Sequence, residues 1–255
     1  MTAVLASQLC VGHQGETVVA DLNFRLEPGQ VLALVGSNGS GKTTLLKTIA
    51  GLLPPVSGTL EVLGPGPRRA GGIAYMGQFH PSSFMLPLRV YDVVRMARYA
   101  AHGLFGRMNA ADEQAVQEAL ATLGVLDLAE APLNALSGGQ RQRVFLAQAF
   151  ARDAGLVLLD EPAANLDASA RAIYRKRVRQ LSEAGCSIII ATHDIDEAAE
   201  CDTTMLLAHR VVAFGPSAEI LTQEALLATF GMVGKYREGG IVIVEREHGH
   251  EDCEH

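Results

Sequence analysis

The chain has 255 residues, 48% of them hydrophobic, and a formal net charge of −7, which is enough apolar material for a large core in one domain or one domain plus a lobe. Residues 245–255 hold five acids against one arginine; with no basic stripe available to displace phosphate counterions, nucleic acid is excluded as the main partner. No run approaches the roughly 18 consecutive apolar residues of a membrane-spanning helix, the N-terminus lacks the pattern of a secretory signal, and Cys10, Cys186, Cys201 and Cys253 show no disulfide-like spacing, so a globular protein in a reducing cytoplasm is expected, with any membrane work done by a partner chain.

The first 27 residues alternate apolar and polar side chains between turn signals at Gly12, Gly15 and Pro28-Gly29, which predicts antiparallel strands. A buried strand from Val31 to Gly36 then enters a glycine-rich loop and a helix from about Lys42 to Ala50, the order of a phosphate-binding α/β core. Between Arg89 and Leu133 the pattern turns to amphipathic helix, with Val90, Val93, Val94 and Ala97 on one face and Ala115, Ala119, Leu120 and Leu123 on another. This predicts a helical lobe, about 89–152, inserted in the core. A helix from about Gly138, a strand Leu156–Leu159, a helix Ala168–Glu183 and a strand Ser187–Ala191 follow. Strands alternating with helices imply a mostly parallel sheet, and hence an α/β fold. One domain is expected over 1–244, and 245–255 is too polar to pack.

Gly36-Ser37-Asn38-Gly39-Ser40-Gly41-Lys42-Thr43 fits the phosphate-loop pattern at every fixed position and in the required strand–loop–helix context. Its glycines let backbone N–H groups turn toward phosphates, and the helix N-terminus adds its positive end. Lys42 is expected to reach the β and γ phosphates of a nucleotide, and the Thr43 hydroxyl to ligate magnesium, with Thr44 beside it. Leu156 to Leu159 ends in Asp160-Glu161, which places two carboxylates at the C-terminal edge of the sheet, where open α/β sheets bind ligands. Asp160 is expected to hold magnesium and Glu161 to act as general base on the attacking water.

Leu136-Ser137-Gly138-Gly139-Gln140, followed by Arg141-Gln142-Arg143, resembles the signature of the ABC ATPase family. Ser137 and the N–H groups of Gly138 and Gly139 at a helix start make an anion site, far along the chain from the phosphate loop. The resemblance implies that this site, with Gln140, caps the γ-phosphate on a second subunit, so that two ATP molecules lie between two head-to-tail copies. Further resemblances follow in family order. Gln78 matches the glutamine that contacts magnesium or water and links core to lobe. Asn165-Leu166-Asp167 matches the loop at the dimer interface, and His193 matches the histidine that hydrogen-bonds the γ-phosphate. His13 stands where the family places an aromatic residue on adenine, Ala163 where Thr or Ser is frequent, and Gln148 where Arg is common. The family further implies ATP hydrolysis, a multi-span permease on another chain, a solute-binding protein indirectly, and a peripheral place on the cytoplasmic face of the membrane.

Two softer features bear on what is moved. Met85 to Arg98 and Glu219 to Gly231 resemble segments of the ATPases of zinc and manganese importers, with siderophore importers close behind. The tail bears His248, His250, Cys253 and His255, ligand types that suit zinc, against the plainer reading of a solvated acidic terminus. Zinc or manganese import is the expectation; a siderophore importer, or a non-transport ABC ATPase such as a cluster-assembly subunit, is the alternative.

Overall fold

The structure, a computed structural model, describes residues 2–13, 15–64, 72–78, 88–102, 107–231, 233–237 and 240–244. Two sheets organise it. In the first, β1 (Val4–His13) lies between β2 (Glu16–Leu26) and β4 (Ser57–Val62), antiparallel to both. The expected N-terminal strands are present, with Gly12 inside β1 opposite Thr17 rather than in a turn. In the second sheet β5 (Ile73–Met76), β6 (Leu156–Asp160), β7 (Ser187–Thr192), β3 (Val31–Val35) and β8 (Thr203–Leu207) run parallel in that spatial order, and β9 (Val211–Pro216) closes the edge antiparallel to β8. A hairpin of β10 (Val233–Arg237) and β11 (Gly240–Val244) follows.

The parallel strands are near-continuous apolar runs because both faces of the sheet are covered. Their side chains alternate between two cores. Leu32, Leu34, Leu156, Leu158, Ile189 and Ala191 pack with Leu45, Leu46 and Ile49 of α1 (Lys42–Ile49) and with the first sheet. Val31, Ala33, Val35, Val157, Leu159, Ile188 and Ile190 face the other helices. Leu45 and Leu46 are fully buried, and each such burial contributes roughly 1.5–3 kcal/mol. Those contacts clamp α1, and with it the loop before it, between the sheets.

The remaining site-bearing helices start at side-chain caps. In α3 (Ala110–Thr122) the Asn109 side chain accepts from the Asp112 N–H while Asp112 accepts from the Asn109 N–H. Ser137 and Gln140 form the same reciprocal box at α4 (Gly138–Ala151), and Asp167 caps α5 (Ala168–Glu183) by accepting from the Ala170 N–H at 2.7 Å. Each cap is worth about 1 kcal/mol. Val90, Val93, Val94 and Ala97 of α2 (Val90–His102) are buried as their spacing predicts. On α3 the buried stripe is Val116, Ala119, Leu120 and Leu123, with Ala115 half-buried beside it; α4 packs against this side, and the larger Val116 takes the interior position. Gln148 donates to the Val93 carbonyl at 2.8 Å, tying α4 to α2. Buried Asp112 accepts from Arg98, which also donates to the Ala151 carbonyl, so one guanidinium joins all three helices.

Among the described residues, Cys10, Cys186 and Cys201 are thiols outside any disulfide. Hydrogen bonding from Ser57 pulls the Cys10 thiol below its usual range, whereas burial, helped by the Glu197 carboxylate, pushes that of Cys201 up to about 12. The thiolate is the nucleophile, so iodoacetamide at neutral pH modifies Cys10 before Cys201 and the buried Cys186 in the native protein, as peptide mass mapping would read; the reverse order would contradict this packing.

Candidate functional site

The parallel order β5-β6-β7-β3 brings four strand ends to one edge of the sheet. Gln78 follows β5 and is exposed; Asp160 and Glu161 end β6; His193 follows β7; and the phosphate loop follows β3. Residues that the sequence scatters over more than half its length thus share one ridge, the place where a parallel sheet presents ligands.

The loop can take its curve only with glycine. A Cβ on Gly41 would meet Val19 Cγ2 at 2.2 Å, and its φ of +106° lies in the left-handed region. One on Gly36 would stand 2.2 Å from the Leu207 carbonyl oxygen. Gly41 is also the N-cap of α1 and brings no side-chain cap, so the first N–H groups of that helix face outward for an anion. Ser37, Asn38 and Gly39 are exposed along the loop, and Thr44 is buried in the first turn of α1. The buried Ser40 hydroxyl has no hydrogen-bond partner among the described residues.

Lys42 curls back over the loop and donates to the Gly36 and Ser37 carbonyls at 2.7 and 2.9 Å. Burial lowers its pKa, against the pull of Glu161 and Asp160. The Thr43 hydroxyl donates to Asp160 Oδ2 at 2.7 Å. Asp160 is 2% exposed, and its Oδ1 has no hydrogen-bond partner among the described residues. Burial raises the Asp160 pKa, with the Thr43 hydrogen bond opposing. A buried carboxylate oxygen without a partner, next to a hydroxyl already aimed at the same group, fits a hard divalent cation of the magnesium type, which takes one or two protein oxygens and fills its shell from phosphate and water.

Glu161 is a non-glycine residue at φ +52°, a conformation that costs about 1–3 kcal/mol and persists only where the surroundings enforce it. Its N–H donates to the Ala191 carbonyl at 2.9 Å, its carbonyl accepts from Gln142, and its carboxylate lies 3.8 Å from His193 Nδ1. The His193 side chain is 62% exposed and that of Glu161 16%, so both reach the open side of the ridge.

Ser137, Gly138, Gly139 and Gln140 are not on this ridge. They start α4, which packs on α2, α3 and β5, while α1 packs on β1, β6 and β7. Asp167 is exposed at the start of α5. His13 is exposed at the end of β1, opposite Glu16; Val11, two residues back, pairs with Val19, which touches the loop at Gly41. His248, His250, Cys253 and His255 lie outside the described residues, as do Met85, Leu86 and Pro87. The residue that sequence reasoning passed over is Gln142. It had a signal, since it falls in register with Leu146, Ala149 and Phe150 on the buried stripe of α4.

This fold and this cluster define a phosphate-loop ATPase. Residues 19–164 match the family profile described as ABC transporter. The chain is 34% identical over 233 residues to the manganese transport system ATP-binding protein MntB of Bacillus subtilis, covering 91% of this chain and 93% of the relative. It is also 34% identical over 231 residues to the zinc transport system ATP-binding protein TroB of Treponema pallidum, covering 90% and 87%. Among solved structures, a chain from an inward-facing ABC transporter of metal-chelate type aligns with a TM-score of 0.78 at 30% identity, covering 95% of this chain and 96% of that one. The protein belongs to the ABC transporter family as an ATP-binding, ATP-hydrolysing subunit.

Proposed function

We propose that the chain powers import of a metal ion, zinc or manganese, through a separate membrane permease, working as a head-to-tail homodimer on the cytoplasmic face of the membrane, with a solute-binding protein delivering cargo on the other side. The observation that carries the motor is the Thr43–Asp160 hydrogen bond with the partnerless Asp160 oxygen beside it; the end-to-end likeness to manganese and zinc subunits supports the cargo. No helix among the described residues is long and apolar enough to cross a membrane, and a permease would supply the crossing.

In this reading residues 1–244 form the ATPase domain, with the helical lobe about 89–152 inserted in it. Lys42 leaves the Gly36 and Ser37 carbonyls for the β and γ phosphates, and the loop from Gly36 to Thr44 surrounds them with N–H groups. Thr43 and Asp160, with Gln78 at the rim, would hold magnesium, and the ion would supply charge neutralisation to the phosphates. Glu161 accepts a proton from the attacking water and His193 donates a hydrogen bond to the γ-phosphate. Ser137 to Gln140 of the partner copy close the site, Asp167 lies at the interface, and His13 stacks on adenine.

A siderophore importer is the second reading, favoured by the likeness to the metal-chelate transporter. Uptake of radiolabelled zinc, manganese and a ferric siderophore, measured in cells with and without this chain, separates them. Loss of zinc or manganese uptake alone is expected; loss of siderophore uptake alone would favour the second reading, and unchanged uptake of all three would point to a soluble ATPase. We further assign the tail 245–255 a zinc-binding role on its ligand chemistry, with modest and pH-dependent affinity because ordering a free chain and displacing protons both cost free energy. A chain ending at Val244 then takes up less zinc by calorimetry than the full chain, and equal uptake would remove the tail site.

A further inference from the structure

The first turns of α4 lie along the segment that carries Glu161. Gln142 is 3% exposed, and its Nε2 donates twice, to the Glu161 carbonyl at 3.1 Å and the Pro162 carbonyl at 2.8 Å. One turn earlier, Gly139 meets the same segment so closely that a Cβ there would stand 2.7 Å from the Asn165 carbonyl oxygen. The Glu161 N–H is tied on its other side to Ala191 of β7. The backbone of Glu161, in its left-handed conformation, is therefore held from both directions, by β7 through its N–H and by α4 through its carbonyl.

We infer that Gln142 is a positioning residue for hydrolysis: its amide fixes the Glu161 and Pro162 carbonyls, sets where the Glu161 carboxylate points, and links that carboxylate to the Ser137–Gln140 helix start of the same chain. The physical reason is the scarcity of donors on this segment. Pro162 has no N–H, so the peptides around it cannot be secured by a ladder hydrogen bond from that residue. A buried carbonyl without a donor is costly; among the described residues the Gln142 amide is the one donor on the Pro162 carbonyl and the closer of two on the Glu161 carbonyl, which the Ala164 N–H meets at 3.4 Å. With that amide removed, the left-handed turn at Glu161 relaxes and its carboxylate drifts from the attacking water. Binding of the nucleotide, which rests on the phosphate loop and Asp160, is left as it was.

The inference rests on Glu161 acting as the base, and a double-mutant cycle on the full chain separates the two. Gln142→Met keeps the length of the side chain and removes both donors. It is expected to lower kcat by roughly ten- to a hundredfold, the scale of a misplaced catalytic group, with KM for ATP unchanged. Made on top of Glu161→Gln, it is expected to lower the residual turnover no further, because Gln142 acts through the carboxylate that is already gone. Equal fractional losses in both backgrounds, a raised KM with an unchanged kcat, or wild-type turnover in Gln142→Met would each overturn the positioning role. Wild-type turnover in Glu161→Gln alone would overturn the assignment of the base instead. Should Gln142→Met fail to fold, Gln142→Leu, apolar, of similar bulk and without donors, takes its place in the same cycle.

Discussion

Replacing Glu161 with Gln lowers ATP turnover by roughly 10²- to 10⁴-fold, the range for losing a general base, while ATP binding persists. In the proposed site, binding depends on groups that the substitution leaves alone: the N–H groups of the loop, Lys42 with its two carbonyl contacts, and the Thr43–Asp160 pair. The amide has nearly the shape of the carboxylate, and Glu161 makes its closest tertiary bonds through its backbone, so the left-handed turn survives. If the nucleotide is shared between two copies as proposed, slow hydrolysis with intact binding keeps it there, and the variant is expected to run as a dimer with ATP in size-exclusion chromatography. Turnover equal to the wild type, measured with the permease present, would take Glu161 out of the mechanism.

A mixture of Lys42→Ala and Ser137→Arg chains regains ATPase activity that neither has alone. The phosphate loop sits at the ends of the parallel strands and Ser137 at the start of α4, packed on different neighbours. If each site combines the loop of one copy with the helix start of the other, a mixed dimer carries both lesions in one site and none in the second. Lys42→Ala removes the charge proposed to face the phosphates. Ser137→Arg removes the cap of α4 and places a long side chain where the partner's γ-phosphate would lie. The measurement is phosphate release from the mixture against each variant alone, with mixed dimers verified by differently tagged chains. Mixed dimers with no gain in activity would argue against a site shared in this way.

The chemistry was legible wherever it is local. The phosphate loop is eight consecutive residues whose conformation is set by glycine and by the helix that follows, and a strand ending in two acids announces its own position at a sheet edge. Those features need no knowledge of distant chain. The caps at Ser137 and Asp167 belong to the same class, because a cap bonds within three residues.

Contacts between distant residues are a different matter. Thr43 and Asp160 are 117 residues apart, and their hydrogen bond follows from β6, β7 and β3 lying side by side, an order fixed by crossover connections that periodicity does not reveal. The third strand of the first sheet, β4, pairs with β1 across the phosphate loop and α1, and the buried stripe of α3 follows its partner α4 to Val116 instead of Ala115. Gln142 shows the boundary most clearly. Its place on the buried stripe of α4 could be read from spacing, but which carbonyls it would meet depended on where β6 ended against that helix. Residue types and their spacing, then, determined by themselves the nucleotide chemistry, the α/β class and the helix starts, because each is a matter of neighbouring residues and short-range hydrogen bonds. Only the tertiary structure decided which carboxylate meets Thr43 and what holds Glu161 in its left-handed turn, because those depend on strand order and on helix packing over long stretches of chain.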